Sequence, residues 1–303
     1  LTILKWTITS KKEGMLVREY LREKGISKAA LTDIKFRGGA IQINGQHATV
    51  RHILKAGEEL VISFPPEERG KGMISENIPL DIIYEDEHVI VINKRPYMAT
   101  IPSREHPSGT VANALLHYYD QQQLPNTVHV VTRLDRDTSG LMLVAKNRFI
   151  HHLLSQQHQQ KAVHRTYEAL VHGVMEQETG TIDAPIARKE ESIIERIVHE
   201  SGQRAVTHFR VVNKYGNITH VALELETGRT HQIRVHMAHL GHPLLGDDLY
   251  GGRRDRIDRQ ALHSKMLTFY HPIVEKMMTF IAPLPDDMEQ VLKDHPDSNM
   301  IPL

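Results

Sequence analysis

The chain has 303 residues, 40% of them apolar, and its 37 basic side chains are balanced by 37 acidic ones. That is enough apolar material for a sizeable core, in one large domain or in two with one of them small, and it excludes a disordered chain. Cysteine is absent, which excludes disulfides and thiolate zinc sites. No apolar run approaches the roughly 20 residues of a membrane span, so a cytoplasmic protein without signal peptide or membrane segment is expected.

Zero net charge argues against a uniformly basic coat for nucleic acid. The distribution is uneven, however: residues 1–60 carry eleven Lys/Arg against six Asp/Glu. A basic module on a near-neutral body fits polyanion binding by one end. Leu16, Val17, Tyr20 and Leu21 recur at helical spacing, and Gly25 ends that helix. Ser27 can cap a second short helix carrying Ala30, Leu31 and Ile34. "AIQI" alternates like a strand, Asn44-Gly45 signals a hairpin, and "LVISF" at 60–64 supplies another strand. These elements predict a compact unit over 1–64, near the lower size limit for autonomous folding.

"PPEERGKGMISENIP", residues 65–79, reads as a linker: its prolines give stiffness and its glycines give freedom. From residue 80 to 303 a second pattern runs. "LDIIYEDEHVIVINKRP" is two β-like runs around an acidic turn. "RTYEALVHG", "THFRVV" and "ITHVALELETG" are further strands, while "TVANALLHYY" and "NRFIHHLLSQQHQ" are helical. Strands outnumber helices without a βαβ rhythm, which predicts an α+β domain with a mixed, largely antiparallel sheet.

Histidine is over-represented, with 21 residues. His231, His236, His239 and His242 crowd "THQIRVHMAHLGH", and His236 and His239 could share a helical face. No HExxH motif accompanies them and no carboxylate lies inside the cluster, so polar packing, phosphate contact or surface exposure is expected rather than a metal site. Phosphate-cradling glycine loops, a nucleophile elbow and thiol nucleophiles are also missing.

The densest charge lies in "VTRLDRDTSGLMLVAKN", residues 131–147, directly before an apolar run with Leu141, Leu143 and Val144. If 131–137 is extended, Arg133, Asp135 and Asp137 share one side. An aspartate beside an arginine stays ionised and can act as nucleophile or base. A surface ion pair capping a strand fits the same residues.

"RLDRDTSGLMLVAKN" resembles the H-R-L-D-x-x-T-S-G-L signature of the RluA family of pseudouridine synthases. The resemblance runs through nearly the whole chain: "LDIIYEDEHVIVINKRP" looks like the family's opening motif, "RTYEALVHG" its tyrosine motif, "TGRTHQIRVHMAHLGHPLLGDDLYGG" its arginine motif and "ALHSKMLTFYHPIVEKMMTFIAPLP" its closing segment. Residues 14–60 resemble the S-four-like RNA-binding domain that often precedes this catalytic domain. The sequence departs from the signature at Thr132, where the family has histidine or sometimes asparagine.

The resemblance implies isomerisation of uridine to pseudouridine in an RNA chain without cofactor or metal, by a monomer. It gives Asp135 the attack on, or deprotonation of, the ribose. Tyr167 stacks on the uracil and could help remove the carbon-5 proton; Arg234 pairs with Asp135; Arg133 enters the RNA stack as the uridine leaves. Asp137 receives no chemical role and is expected to brace the turn. Lys24, Lys28, Lys35 and Arg37 are expected to line one basic RNA-binding face of the N-terminal unit. Ribosomal RNA, first of all large-subunit RNA, is the expected partner, with transfer RNA the alternative. Two rival readings are a non-catalytic RNA-binding or ribosome-assembly protein and a histidine-based metallohydrolase.

Overall fold

A computed structural model describes residues 2–70 and 72–295, and its strands fall into a small sheet, a large sheet and a two-stranded ribbon. The small sheet is made by residues 3–63. β1 (Ile3–Thr7) leads to α1 (Val17–Glu23) and then α2 (Lys28–Phe36), which starts where Ser27 Oγ accepts the Ala30 N–H at 3.2 Å. β2 (Ala40–Ile43) turns through Asn44-Gly45 into β3 (Gln46–His47), and β4 (Glu59–Ser63) completes the antiparallel order β1-β4-β2-β3. Leu4, Leu21, Ile34, Leu60 and Ile62 are buried between this sheet and its helices.

The large sheet begins with β5 (Ile82–Glu85) and β6 (Val89–Lys94). α3 (Val111–Gln121), β7 (His129–Val130), β8 (Ser139–Ala145), α4 (Arg148–Gln159) and β9 (His164–His172) follow. Next come β10 (Thr179–Asp183), the ribbon strands β11 (Ile186–Arg188) and β12 (Arg196–Val198), β13 (Val206–Tyr215) and β14 (Ile218–Leu225). α5 (Gln232–His239), β15 (Leu262–His271), β16 (Lys276–Ile281) and α6 (Asp286–Lys293) close the chain's described elements. The order is β10-β13-β14-β9-β15-β8-β6-β5, with β16 also on β15 and β7 also on β8. Pairing is antiparallel throughout except between β15 and β8. The fold is thus the α+β arrangement expected from the sequence, a mixed and largely antiparallel sheet.

Both faces of the sheet's centre are covered. Val91, Leu141 and Leu143 point to a core shared with Phe149, Ile150 and Leu154 of α4, whereas Ile90, Met142 and Val144 point to one shared with Leu115 of α3 and Ile233 of α5. That explains why 141–145 is an unbroken apolar run rather than an alternating one. The second residue of β8 is Gly140, whose φ is 109 and where a Cβ would lie 2.3 Å from the Ser264 carbonyl oxygen of β15. Only glycine allows this close parallel pairing, which anchors the end of the charged loop before it.

The small sheet leans on α4: the Phe64 and Phe149 rings stack at 5.2 Å, and Lys24 reaches Glu275 at 3.2 Å. Among the described residues of 65–79 there is no helix or strand, and these residues do not have the freedom that the glycines suggest. Glu67 accepts the Arg148 N–H at 2.7 Å, Arg69 pairs with Asp120, the Ile74 carbonyl accepts from Asn113 at 2.7 Å, and Glu76 accepts the Gly109 N–H at 2.6 Å. Side chains strap the segment along the larger body, a tertiary effect that composition does not reveal.

Candidate active site

The loop between β7 and β8 holds the charge noted in the sequence. It is not extended throughout. The chain turns at Arg136-Asp137, where the Asp135 carbonyl accepts the Thr138 N–H at 3.2 Å. Arg133, Asp135 and Asp137 therefore do not share one side. Arg133 and Asp135 line a cavity of about 600 Å³, whereas Asp137 turns away and takes a bidentate pair from Arg136 at 2.7 and 3.0 Å. The expectation of a common face fails because two turn residues break the alternation.

Buried cations build this loop. Lys94, at the end of β6 and 1% exposed, donates to the carbonyls of Arg95, Met98 and Arg136, each at 2.9 Å. Burial pulls the Lys94 ammonium down to about 7 against the attraction of Asp137 and Asp135. Three carbonyl partners match the three N–H bonds of its protonated form. Arg259, also 1% exposed, donates to the Asp137 carbonyl at 3.1 Å and to Ser139 Oγ at 3.3 Å, while Asp287 of α6 holds it from the other side at 2.6 and 2.8 Å. Thr100 Oγ1 donates to the Leu134 carbonyl at 2.8 Å. Thr132, the departure from the family signature, is buried and its hydroxyl accepts the Leu143 N–H at 2.9 Å.

Arg234 comes from α5. Its strongest partner is Asp247, which it meets at 2.7 and 2.8 Å, both side chains being buried. Burial opposes the guanidinium charge, but Asp247 more than offsets this and raises its pKa. A third contact, 3.4 Å long, reaches Asp135 Oδ2. Arg234 thus touches Asp135 but is chiefly neutralised elsewhere. Among the described residues nothing donates to Asp135 Oδ1, and the side chain is 31% exposed to the cavity.

Tyr167 lines the same cavity from the middle of β9, between Leu223 of β14 and Ser264 of β15. Its burial raises the phenol pKa, so the hydroxyl is neutral and the ring offers a stacking face. The Arg165 guanidinium lies 5.8 Å from that ring's centre. Arg133 is exposed at the cavity rim, and no carboxylate lies within ion-pair distance of Arg133 or Arg165 among the described residues. Two unpaired cations beside an aromatic face and a free carboxylate oxygen suit a nucleotide within a polyanion.

Lys94, Arg165, Asp247, Tyr250 and Arg259 were not singled out from sequence. Tyr250 packs its ring 5.0 Å from Arg234. Arg165 had a legible signal, being two residues before Tyr167 on the same strand face. Within the histidine cluster His236 and His242 serve the fold, the His242 ring lying 2.8 Å from the His172 carbonyl. His236 is buried, with one ring nitrogen 2.9 Å from Thr207 Oγ1 and the other 2.9 Å from the Ala184 carbonyl, and His239 is exposed.

The four N-terminal cations named from sequence separate. Lys28 and Lys35 are exposed on α2, and Lys35 lies 4.6 Å over the equally exposed Phe36 ring. Arg37 pairs with Asp33 at 3.4 Å. Lys24 points to Glu275 of the larger body, so the single face expected of all four is not formed.

Comparison with known proteins gives a consistent answer. A family profile described as RNA pseudouridylate synthase matches residues 88–239. A Bacillus subtilis (strain 168) protein described as "Uncharacterized RNA pseudouridine synthase YjbO" is 58% identical over 279 residues, spanning 92% of this chain and 99% of that one. Ribosomal large subunit pseudouridine synthase D of Escherichia coli (strain K12) is 44% identical over 231 residues, 72% of this chain and 70% of that one. Among solved structures, human RNA pseudouridylate synthase domain containing 1 superposes with a TM-score of 0.60 at 25% identity, covering 76% of this chain and 91% of that one. The chain belongs to the RluA family of RNA pseudouridine synthases, isomerases whose substrate is RNA.

Proposed function

We propose that this enzyme converts uridine to pseudouridine in large-subunit ribosomal RNA, with Asp135 as the reacting carboxylate. The observation that carries the reading is the asymmetry of that carboxylate: Oδ2 faces Arg234, and Oδ1 is open to the cavity. The bond from ribose C1′ to uracil N1 breaks, the base turns, C1′ joins C5, and the proton on C5 is replaced by one on N1. Atoms balance without an oxidant or reductant. Both routes for the first step, attack on the ribose or removal of a ribose proton, need an ionised carboxylate held at the sugar.

Arg133 takes the place of the departing base in the RNA stack, which offsets part of the few kcal/mol that flipping costs. Tyr167 stacks on the flipped uracil. With a neutral phenol it holds the ring rather than acting as the resting base. Arg165 contacts the neighbouring phosphate. Residues 1–64 form the S-four-like RNA-binding domain, 65–79 its connection and 80–303 the catalytic domain, with Lys28 and Lys35 as phosphate contacts. The ribosomal target is supported by the 44% identity to a ribosomal large subunit synthase.

The test is to map pseudouridines in large-subunit, small-subunit and transfer RNA from cells with and without the gene. Loss of one or more sites in large-subunit RNA alone is expected. Loss confined to transfer RNA would contradict the target, and an unchanged map in every RNA would contradict the activity.

A further inference from the structure

Asp135 has a second neighbour that the steps above leave unused. His231 immediately precedes α5 in a left-handed conformation, φ 57. A histidine held there needs the surroundings to enforce it, a situation concentrated at functional positions. Its ring spans two groups: Nε2 lies 3.8 Å from Asp135 Oδ2, and Nδ1 lies 2.8 Å from Tyr250 Oη.

The hydrogen-bond pattern assigns the proton. Tyr250 Oη accepts the Arg196 N–H at 3.0 Å, and its own proton is free for Nδ1. If Nδ1 accepts, the imidazole proton stands on Nε2, facing the carboxylate. The reverse tautomer would aim a lone pair at Asp135 Oδ2. Burial favours the uncharged ring, with Asp135 and Asp247 pulling the other way and Arg234 and Arg196 reinforcing it. An uncharged ring carries one proton, so the choice of nitrogen matters.

We infer that His231 is a positioning residue for Asp135, an Nε2–H donor whose tautomer Tyr250 fixes and which grips Oδ2 together with Arg234. The inference rests on Asp135 being the reacting carboxylate. The need for a second donor follows from the geometry of Arg234, whose short bonds go to Asp247 and whose contact with Asp135 is 3.4 Å. One long contact leaves the carboxylate free to rotate about χ2. Two donors, one from the N-cap of α5 and one from its first turn, to one oxygen define its plane and turn Oδ1 toward the ribose. An uncharged donor does this without adding positive charge that would weaken the nucleophile. The 3.8 Å separation is longer than a hydrogen bond and shortens when substrate fills the cavity, as contacts of resting active sites commonly do.

Single-turnover kinetics on total RNA extracted from cells lacking the enzyme tests this, using full-length protein. His231→Ala should lower the rate at saturating enzyme about 30-fold, which is about 2 kcal/mol of barrier, while the enzyme concentration for half-saturation stays within about 3-fold of the parent. His231→Gln, whose side-chain N–H can reach the same oxygen, should recover the rate to within about 5-fold of the parent. Tyr250→Phe should lower the rate without changing half-saturation, because the tautomer is no longer fixed. Thermal melting confirms that each variant is folded. A folded His231→Ala at the parental rate, a defect confined to RNA affinity, or a glutamine variant no better than alanine would overturn the inference. Asp135→Asn run alongside separates the two claims: if it is inactive while His231→Ala is unimpaired, only the role of His231 falls, and if it turns over, the reading of Asp135 falls instead.

Discussion

The surroundings of the loop between β7 and β8 and the exposed face of α2 are both rich in basic residues, and they use them in opposite ways. At the loop, Lys94 and Arg259 are 1% exposed and Arg234 is 7% exposed, and each is held by carbonyls or carboxylates of the protein itself. On α2, Lys28 and Lys35 project into solvent. A cation with every donor spent inside the fold shapes backbone and cannot take up a phosphate. A hydrated cation on a helix face does the reverse: it adds little to stability and can release counterions when RNA arrives. A count of basic residues does not separate the two uses, whereas burial does.

The comparison can be broken most forcefully at α6. Asp287→Ala leaves Arg259 buried without its carboxylate, and urea unfolding should show a loss of about 3 kcal/mol, the lower end for a broken buried pair because Asp287 itself is partly exposed. Replacing both partners by methionine should recover part of that stability but not the activity, since the Asp137 carbonyl loses its donor. Full activity in the double variant would show that Arg259 does not shape the loop.

Acid should attack the same region. Burial, assisted by Lys265 and Arg259, lowers the His263 pKa to about 4, and its Nδ1 lies 3.0 Å from Ser139 Oγ at the start of β8. The unfolded histidine takes up its proton near 6.5, so between about pH 6.5 and 4 the unfolded state binds more protons and stability falls as pH drops. The His263 share approaches about 3 kcal/mol at pH 4. Burial lowers His236 and His158 in the same sense. Urea midpoints at pH 7 and 4.5 measure the slope, and His263→Gln should flatten it. An unchanged slope in that variant would remove the assignment.

The smallest effects belong to α2. Lys28→Ala and Lys35→Ala should each reduce the slope of log affinity for RNA against log salt by about one unit, with stability unchanged. Lys24→Ala, whose ammonium already meets Glu275, should leave that slope as it was. A slope change for Lys24 equal to that for Lys28 would erase the distinction between committed and available cations.

What the sequence conveyed and what it hid follow the same division. α1, α2 and the 40–47 hairpin were legible because a glycine, a serine cap and an Asn-Gly turn are local signals. Asp135, Tyr167 and Arg234 were legible through motif resemblance, and the structure brings all three to one cavity. β1, the β11–β12 ribbon and α6 gave no periodicity long enough to read. The extended reading of 131–137 failed at a turn without glycine or proline. Lys94 and Arg259 were illegible because the burial of a cation is a property of the assembled fold, and nothing in "INKRP" or "DRQAL" announces it.

The measurement that bears most directly on the account is pseudouridine formation by Asp135→Asn, compared with Asp137→Asn and the parent on RNA lacking the modification. Asparagine keeps the shape of Asp135 and removes only its charge. The account predicts that turnover falls by about 1000-fold or more. RNA affinity should stay within a few-fold because phosphate contacts dominate it. Asp137→Asn should keep measurable turnover, because its carboxylate braces Arg136 rather than facing the cavity. Substantial pseudouridine formation by a folded Asp135→Asn enzyme would contradict the assignment on which the mechanism stands.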